Sequence, residues 1–402
     1  MPWKARTALE QRKEFIAEWQ LQLDGFAELC RKYGISRPTG YKWVERHRDH
    51  GEAGLEDESR APHQSPQAMS AAVAARVIEL RQQHPRWGPR KLRAYLERQR
   101  PGEPWPAPSS IGGLLQREGL VHSRRKRQRT PRYSEPLAHA GGANQVWCAD
   151  FKGWFHCGDG QRCDPLTITD AFSRYLLRCR SVAKADGVHV RGIFEAVFRE
   201  CGLPEAIRTD NGPPFAAPAP AGLSRLAMWW VRLGIRHERI DPGCPQQNGR
   251  HERMHQTLKQ ETANPAAANL RQQQQAFLRF QREYNQERPH EALGYQTPSS
   301  LYVASGRVYP ARLPEPAYPA GATLRWIAAD GQMRWANRRV FLSAVLAGAA
   351  VGVVPCEEDL YELYYGPVLL GWYDAAENYF VADRGRPRRR RENGSQPDRG
   401  ER

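Results

Sequence analysis

Cysteine is scarce in this 402-residue chain, with eight residues in all and no Cys-x-x-Cys pair among them. The spacing argues against the common zinc and dithiol motifs, and no secretory apolar segment opens the chain, so reduced thiols are expected. Long apolar runs are also missing. The longest stretch without a charge, Val340 to Cys356, contains a serine, two glycines and a proline. It predicts buried strands and not a bilayer span. Acidic residues are in deficit, 44 against 60 Lys and Arg, which gives a net charge of +16. Such a balance points to a polyanionic partner, nucleic acid first, the bland alternative being a merely soluble basic protein. No targeting or membrane segment is visible, and the expected setting is the cytoplasm. The length predicts two to four domains with real cores.

Three acids stand out by their local context. Asp150 lies in a largely apolar, strand-like run, Gln145 to Phe155. An acid there is costly to bury unless it is paired or binds a metal, and no cation suggests itself nearby. Asp210 ends a short apolar run and precedes Asn211-Gly212, a turn signal that places its carboxylate at a strand end. Glu252 falls in the first turns of a helix that Asn248 can cap and Gly249 can open. Gathered together, three carboxylates would repel unless divalent cations held them, and oxygen-only ligation favours Mg²⁺ or Mn²⁺.

At these residues the chain resembles the insertion-sequence transposases that share the retroviral-integrase (DDE) catalytic core. The resemblance rests jointly on the Asp150 strand, Thr169-Asp-Ala-Phe-Ser-Arg-Tyr175, Thr209-Asp-Asn-Gly212, Pro245-Gln-Gln-Asn-Gly249 with Glu252, and Tyr284-Asn285 with Arg288-Pro-His290. Asp210 and Glu252 stand somewhat farther apart than is usual for that family, and Pro213 to Ala221 reads as a loop insertion that absorbs the difference. The resemblance implies a ribonuclease-H-like α/β core in which Asp150, Asp210 and Glu252 bind two metal ions. It also implies cleavage of the element ends, strand transfer into target DNA by in-line phosphoryl transfer, and at least a dimer on double-stranded DNA. It places Lys259 against the bound DNA end, with a solvated lysine as the alternative.

The flanking segments fit DNA handling. Helices over Thr7–Gln20 and Gly25–Tyr33, and a third capped by Ser36 with Pro38 in its first turn, read as a helix-turn-helix. The third presents Arg37, Thr39, Lys42 and Arg46, with Tyr41 and Val44 turned inward; a helical bundle that touches no DNA is the alternative. A second helix-turn-helix-like unit is expected from Met69–Gln83, Arg90–Arg98 and a helix capped by Ser109; a plain spacer is the alternative. Short β runs from Thr323 to Val381 suggest a small β-barrel, with Trp335, Arg338, Arg339 and Tyr361 as barrel core or DNA contacts. The resulting organisation is 1–55 helix-turn-helix, 68–122 second helical domain, 123–140 basic linker, 141–303 catalytic core, 304–322 linker, 323–382 β-barrel and 383–402 disordered basic tail.

Several residues have plainer explanations than chemistry. Asp170 fits an Asx turn between two strands, and Glu205 a solvated edge. His156, Cys157 and Cys163 match no zinc spacing. Helix packing accounts for His251, whereas His255 shares a face with Glu252 and Lys259 and is placed to meet DNA or a carboxylate. Two rival functions remain, a DNA-binding regulator without catalysis and a metal-dependent nuclease without joining activity. The first has no reason to keep all three acids in their motifs.

Overall fold

The computed structural model describes residues 7–22, 24–58, 69–121, 140–182, 185–241, 247 and 249–382. The Asn248 cap, the basic run Arg124 to Arg129 and the tail from 383 lie outside the described residues. The chain divides into two units, 1–70 and 71–402.

In the first unit, α1 (Ala8–Leu21) opens with a reciprocal cap. The Thr7 side chain accepts from the Glu10 amide, and the Glu10 carboxylate accepts from the Thr7 amide at 2.7 Å. Next comes α2 (Phe26–Lys32), a turn at Gly34 with φ +62°, and α3 (Arg37–His50), whose first turn is capped by Ser36. Phe15, Ile16, Leu29, Cys30, Trp43, Val44 and Leu55 form the core. Tyr41, expected inward, is instead exposed and stacks on Phe26 at 4.2 Å. The reason is packing of α3 on α2 at Gly40, where an added Cβ would come within 2.7 Å of Cys30 Sγ. Gly40, Trp43 and Val44 therefore make the inward face, and Tyr41 is rotated off it.

The second unit begins with α4 (Ala71–Gln83), α5 (Pro89–Gln99) and α6 (Pro108–Arg117). Val77, Leu80, Trp87, Leu92, Leu96, Ile111 and Leu115 are buried. Helix α6 starts at Pro108 without a side-chain cap, so Ser109 lies inside the helix and does not cap it.

Then follow β1 (Val146–Phe151), β2 (Phe155–His156), β3 (Arg162–Asp170), β4 (Leu176–Val182), α7 (Gly187–Cys201), β5 (Ala206–Thr209), α8 (Arg225–Arg232), β6 (Arg236–Arg239), α9 (Gly249–Thr262) and α10 (Leu270–Arg282). The sheet runs β4-β3-β1-β5-β6, with β2 beside β3. Strands β1 and β3 and strands β3 and β4 pair antiparallel; β5 is parallel to both β1 and β6. An antiparallel meander followed by parallel strands reached through α7 and α8 is the ribonuclease-H-like arrangement. Asp170 is fully buried and accepts from the Asn144 amide (2.7 Å), the Ser173 amide (2.8 Å) and the Ser173 hydroxyl (2.7 Å). The Thr169–Tyr175 motif is thus a β3–β4 turn that also anchors the entry to β1.

The stretch read as a linker straps across this core. The Arg307 guanidinium donates to the Pro204, Leu233 and Gly234 carbonyls, and the Leu203 amide donates to the Arg307 carbonyl. Beyond it, β7 (Thr323–Trp326), β10 (Ala350–Glu357), β11 (Leu360–Tyr365), β12 (Val368–Asp374) and β13 (Tyr379–Ala382) form one antiparallel sheet, and β8 (Gln332–Trp335) with β9 (Arg338–Phe341) a hairpin. The expected closed barrel is not found among the described residues. Strands β7 and β13 are the sheet's edges, and no ladder closes it among the described residues. Its buried side, including Val351, Leu363 and Tyr365, joins the same apolar cluster as α7 and α8 of the core. Burial against an existing core removes the need for closure.

Candidate active site

Asp150 is the penultimate residue of β1, near the strand's end and not its middle as its sequence context suggested. Parallel pairing sets Cys148 of β1 beside Arg208 of β5. Continued by two residues, that register brings Asp210 level with Asp150, and neighbouring strands lie about 4.8 Å apart. The Asp210 carboxylate is held by the Gly212 amide at 3.2 Å. A Cβ on Gly212 would stand 3.2 Å from Asp210 Oδ2, so glycine leaves the carboxylate its space. Glu252 is exposed in the first turn of α9. Its charge reaches Asp150, whose carboxyl is pushed up to about 7 by burial first, then by Asp210 and also by Glu252, against the Phe151 amide and the Lys152 ammonium. The structure thus brings the three predicted acids into one electrostatic neighbourhood.

A buried polar girdle supports this arrangement. Thr167 lies opposite Asp150 on β3. Its hydroxyl is 2.6 Å from Nε2 of His251 and 2.6 Å from Nε2 of His255, and His251 Nδ1 is 2.9 Å from the Thr169 hydroxyl. One hydroxyl proton cannot serve two rings, so at least one imidazole donates its Nε2–H to Thr167. Burial holds the His251 pKa down at about 3 and lowers that of His255 as well. His255, proposed from sequence to meet DNA or a carboxylate, is only 5% exposed and places Nδ1 3.9 Å from Asp150 Oδ2. Of its two predicted partners, the carboxylate is the one it faces. Desolvation takes it out of reach of DNA.

Asp150 therefore stands between two candidate ligand sets. Ligand atoms of Asp150, His251 and His255 lie within 4.8 Å of one another. Both nitrogens of His251 and Nε2 of His255, however, are engaged with Thr167 and Thr169 in a desolvated layer, which leaves only His255 Nδ1 facing Asp150, whereas Asp210 is half-buried and Glu252 exposed. The oxygen set is the accessible one, and it suits a hard divalent cation.

The remaining motif explains how α9 is aimed. Met254 and Leu258 pack against Phe277 and Phe280 of α10. Asn285 bonds the backbone amide and carbonyl of Leu176 in β4 (2.8 and 3.0 Å), and Arg288 holds Glu261 of α9 at 2.7 Å. Tyr284 to His290 thus ties the helix bearing Glu252 to the sheet bearing Asp150.

Lys152 was overlooked in the sequence. Period-two alternation places it on the Asp150 side of the strand, so a cation does lie near that carboxylate. Lys259 is exposed on α9, as anticipated. In the first unit Arg37 and Lys42 are exposed and Thr39 half-buried, its hydroxyl 2.9 Å from that of Ser36. Arg46 is occupied internally. It donates to the Glu56 carbonyl, pairs with Glu58 and lies over the Trp43 ring. Trp335 packs on Tyr361 at 4.5 Å and Arg338 donates to the Ala375 and Ala376 carbonyls, while Arg339 is exposed. Glu205 is exposed, and Cys157 and Cys163 are buried thiols whose pKa values burial raises.

Known proteins similar to this chain bear on its family. Integrase core domain models match residues 141–245 and 233–298, a helix-turn-helix model 11–63 and a homeodomain-like model 39–115. An uncharacterized 31.7 kDa protein of insertion element IS407 from Burkholderia multivorans is 31% identical over 59% of this chain and 82% of its own length. An uncharacterized 39.2 kDa protein of insertion element IS476 from Xanthomonas euvesicatoria is 31% identical over 66% of this chain and 75% of its own. Among solved structures, the HTLV-2 integrase catalytic core domain in complex with magnesium aligns at 18% identity and a TM-score of 0.32, covering 40% of this chain and 98% of that one. With carboxylates on β1, after β5 and on α9, and with relatives of this extent, the chain belongs to the insertion-sequence transposases built on an integrase-type catalytic core.

Proposed function

We propose that Asp150, Asp210 and Glu252 are the catalytic acids of a metal-dependent DNA strand transferase that cleaves the ends of an insertion sequence and joins them to target DNA. One observation carries the reading: the β1–β5 register leads Asp210 to Asp150, where burial first and then Asp210 and Glu252 disfavour the charged carboxylate, a cost that divalent cations would relieve. When bound, Mg²⁺ or Mn²⁺, two ions in this reading, would supply charge neutralisation at the transferred phosphorus and activation of the attacking oxygen. The chain's own residues set the geometry. The β1–β5 register fixes the spacing of the two aspartates, Thr167 with the two histidines fixes the seat of α9, and Arg288 fixes its far end. Residues 141–303 would form the catalytic core. Arg37, Thr39 and Lys42 at the start of α3 would meet the major groove and recognise the element ends. Handling two ends at once calls for at least two copies of the chain on DNA.

The test uses labelled element-end duplexes with a plasmid target in Mg²⁺. Wild type should give cleaved and joined products; Asp150→Asn, Asp210→Asn and Glu252→Gln should give neither while still binding the ends. Cleavage without joining would leave only a nuclease, and robust joining by Asp150→Asn would refute the assignment.

A further inference from the structure

We propose that Thr209 and His237 are positioning residues for the second acid: a hydrogen-bond relay from the His237 ring through the Thr209 hydroxyl to the Asp210 carbonyl fixes where the Asp210 carboxylate stands. The inference rests on the proposed function and deepens it at one carboxylate.

Asp210 is the first residue beyond β5, so the ladders that hold the strand stop just short of it. Its peptide must be oriented by other means. On the neighbouring strand β6, His237 pairs with Ile207, one same-face step before Thr209. From there its Nε2 comes within 2.9 Å of the Thr209 hydroxyl, and that hydroxyl lies 2.8 Å from the Asp210 carbonyl. Proton counting sets the direction of both bonds. A carbonyl can only accept, so the one hydroxyl proton goes to Asp210, and the bond to the ring requires an Nε2–H donated by His237. The Trp230 ring packs edge-on against His237, with centroids 5.2 Å apart, and holds the imidazole in place.

The residues on either side of Asp210 are tied to one point. The Thr209 carbonyl accepts from the Ile240 amide at 3.1 Å, and the Asn211 side-chain amide donates to the Ile240 carbonyl at 2.8 Å. Those bonds fix the chain before and after Asp210; the relay fixes the peptide plane of Asp210 itself. The bond from the Gly212 amide to the carboxylate is long at 3.2 Å, so the aim of the side chain depends on the backbone beneath it. A strand alone would not ask for this arrangement. Thr209 is fully buried, and valine would fill the same space with no polar group to satisfy. Threonine with a histidine partner is explained by the carbonyl it holds. Metal ligands need such support, because a cation tolerates little displacement of its donors.

The experiment measures Mg²⁺ binding by the full chain, without DNA, as the midpoint of the rise in melting temperature with Mg²⁺ concentration. Thr209→Val cuts both bonds and should move that midpoint roughly tenfold upward, the lower end of what losing a ligand's supporting bond costs. His237→Leu leaves the hydroxyl bond to Asp210 and should move it less. The double variant should match Thr209→Val, since both changes act on one chain of bonds. Thr209→Ser keeps the hydroxyl and should restore the wild-type midpoint. The Mg²⁺ dependence of end cleavage should shift by the same factors, with the rate at saturating Mg²⁺ held near wild type. A role in stability alone would lower the melting temperature in chelator and leave every midpoint in place. That result overturns the proposal, as do shifts that multiply in the double variant or a Thr209→Ser midpoint that stays with Thr209→Val. If Thr209→Val does not fold, His237→Leu decides alone, by a moved or unmoved midpoint. Asp210→Asn separates the two readings. If it keeps the wild-type midpoint and still cleaves, the catalytic assignment fails; if it loses the Mg²⁺ response and cleavage while Thr209→Val binds Mg²⁺ as wild type does, only the relay is removed.

Discussion

Replacing Asp150 by asparagine should make the metal-free protein more stable while abolishing its chemistry. The Asp150 carboxyl, at about 7, lies some 3 units above its ordinary 3.8. Each unit corresponds to about 1.4 kcal/mol, so the charged form costs up to about 4 kcal/mol in the folded state. The side chain keeps 19% of its surface in water, which points to roughly half of that being recovered by an uncharged isostere. The sign follows from linkage. Below pH 3.8 the group is neutral in both states and costs nothing. Between 3.8 and 7 the unfolded chain gives up its proton first, so stability falls as pH rises, and above 7 the full cost remains. In chelator at pH 8, Asp150→Asn should therefore melt roughly 3 °C above wild type, at about 1.4 °C per kcal/mol for a unit of about 330 residues, and the gap should close towards pH 4. Divalent cation should reverse the order. At 100 times its dissociation constant Mg²⁺ adds about 2.7 kcal/mol to wild type and little to the variant. Scanning calorimetry across pH, with and without Mg²⁺, reads both effects. A variant that melts below wild type in chelator at pH 8 would refute the reading that burial, with Asp210 and Glu252 adding to it, makes the charged Asp150 costly.

Asp170→Asn should do the opposite, because an amide cannot accept from all three donors that hold this buried carboxylate; a loss of about 2–4 kcal/mol is expected, with the Mg²⁺-dependent rise in melting temperature retained. In the first unit, Arg37→Ala and Lys42→Ala should each flatten the salt dependence of DNA binding by about 0.9. Arg46→Ala should instead lower the melting temperature, since it breaks contacts to Glu56 and Glu58. Lys91 is pushed down to about 8 by burial first, then by Arg288 and Arg253, with Glu261 and Glu291 opposing. A lowered lysine carries its cost below pH 8 and sheds it as pH rises from 8 to 10.5, so stability should climb over that window. Lys91→Met should be up to about 3 kcal/mol more stable at pH 7 and lose that climb, as measured by denaturant titration at several pH values.

Legibility differed by element for physical reasons. Helix starts announced by Thr7, Ser36, Asp186, Ser224 and Asn269 could be read from sequence because a cap acts within three residues. Ser109 misled because Pro108 also opens a helix, one residue earlier. Tyr41 and Arg46 misled because helical spacing gives a face without saying which side packs, and Gly40 against Cys30 decided it. The β-barrel was expected from strand spacing alone, which says nothing of closure; the open sheet found a core to lean on. Lys152 was legible in principle, two residues from Asp150, whose charge it favours.

What the sequence determined by itself was the inventory: three acids in strand, strand-end and helix-start contexts, capped helices, and a surplus of cations. Those are local properties, fixed by propensity and by neighbours a few residues apart. Tertiary structure alone decided the convergence. The parallel register of β1 and β5 led Asp210 to Asp150, and the seating of α9 on β3 set His255 beside the Asp150 carboxylate. Charges act through space, so which of them share a site is decided by packing and not by order along the chain.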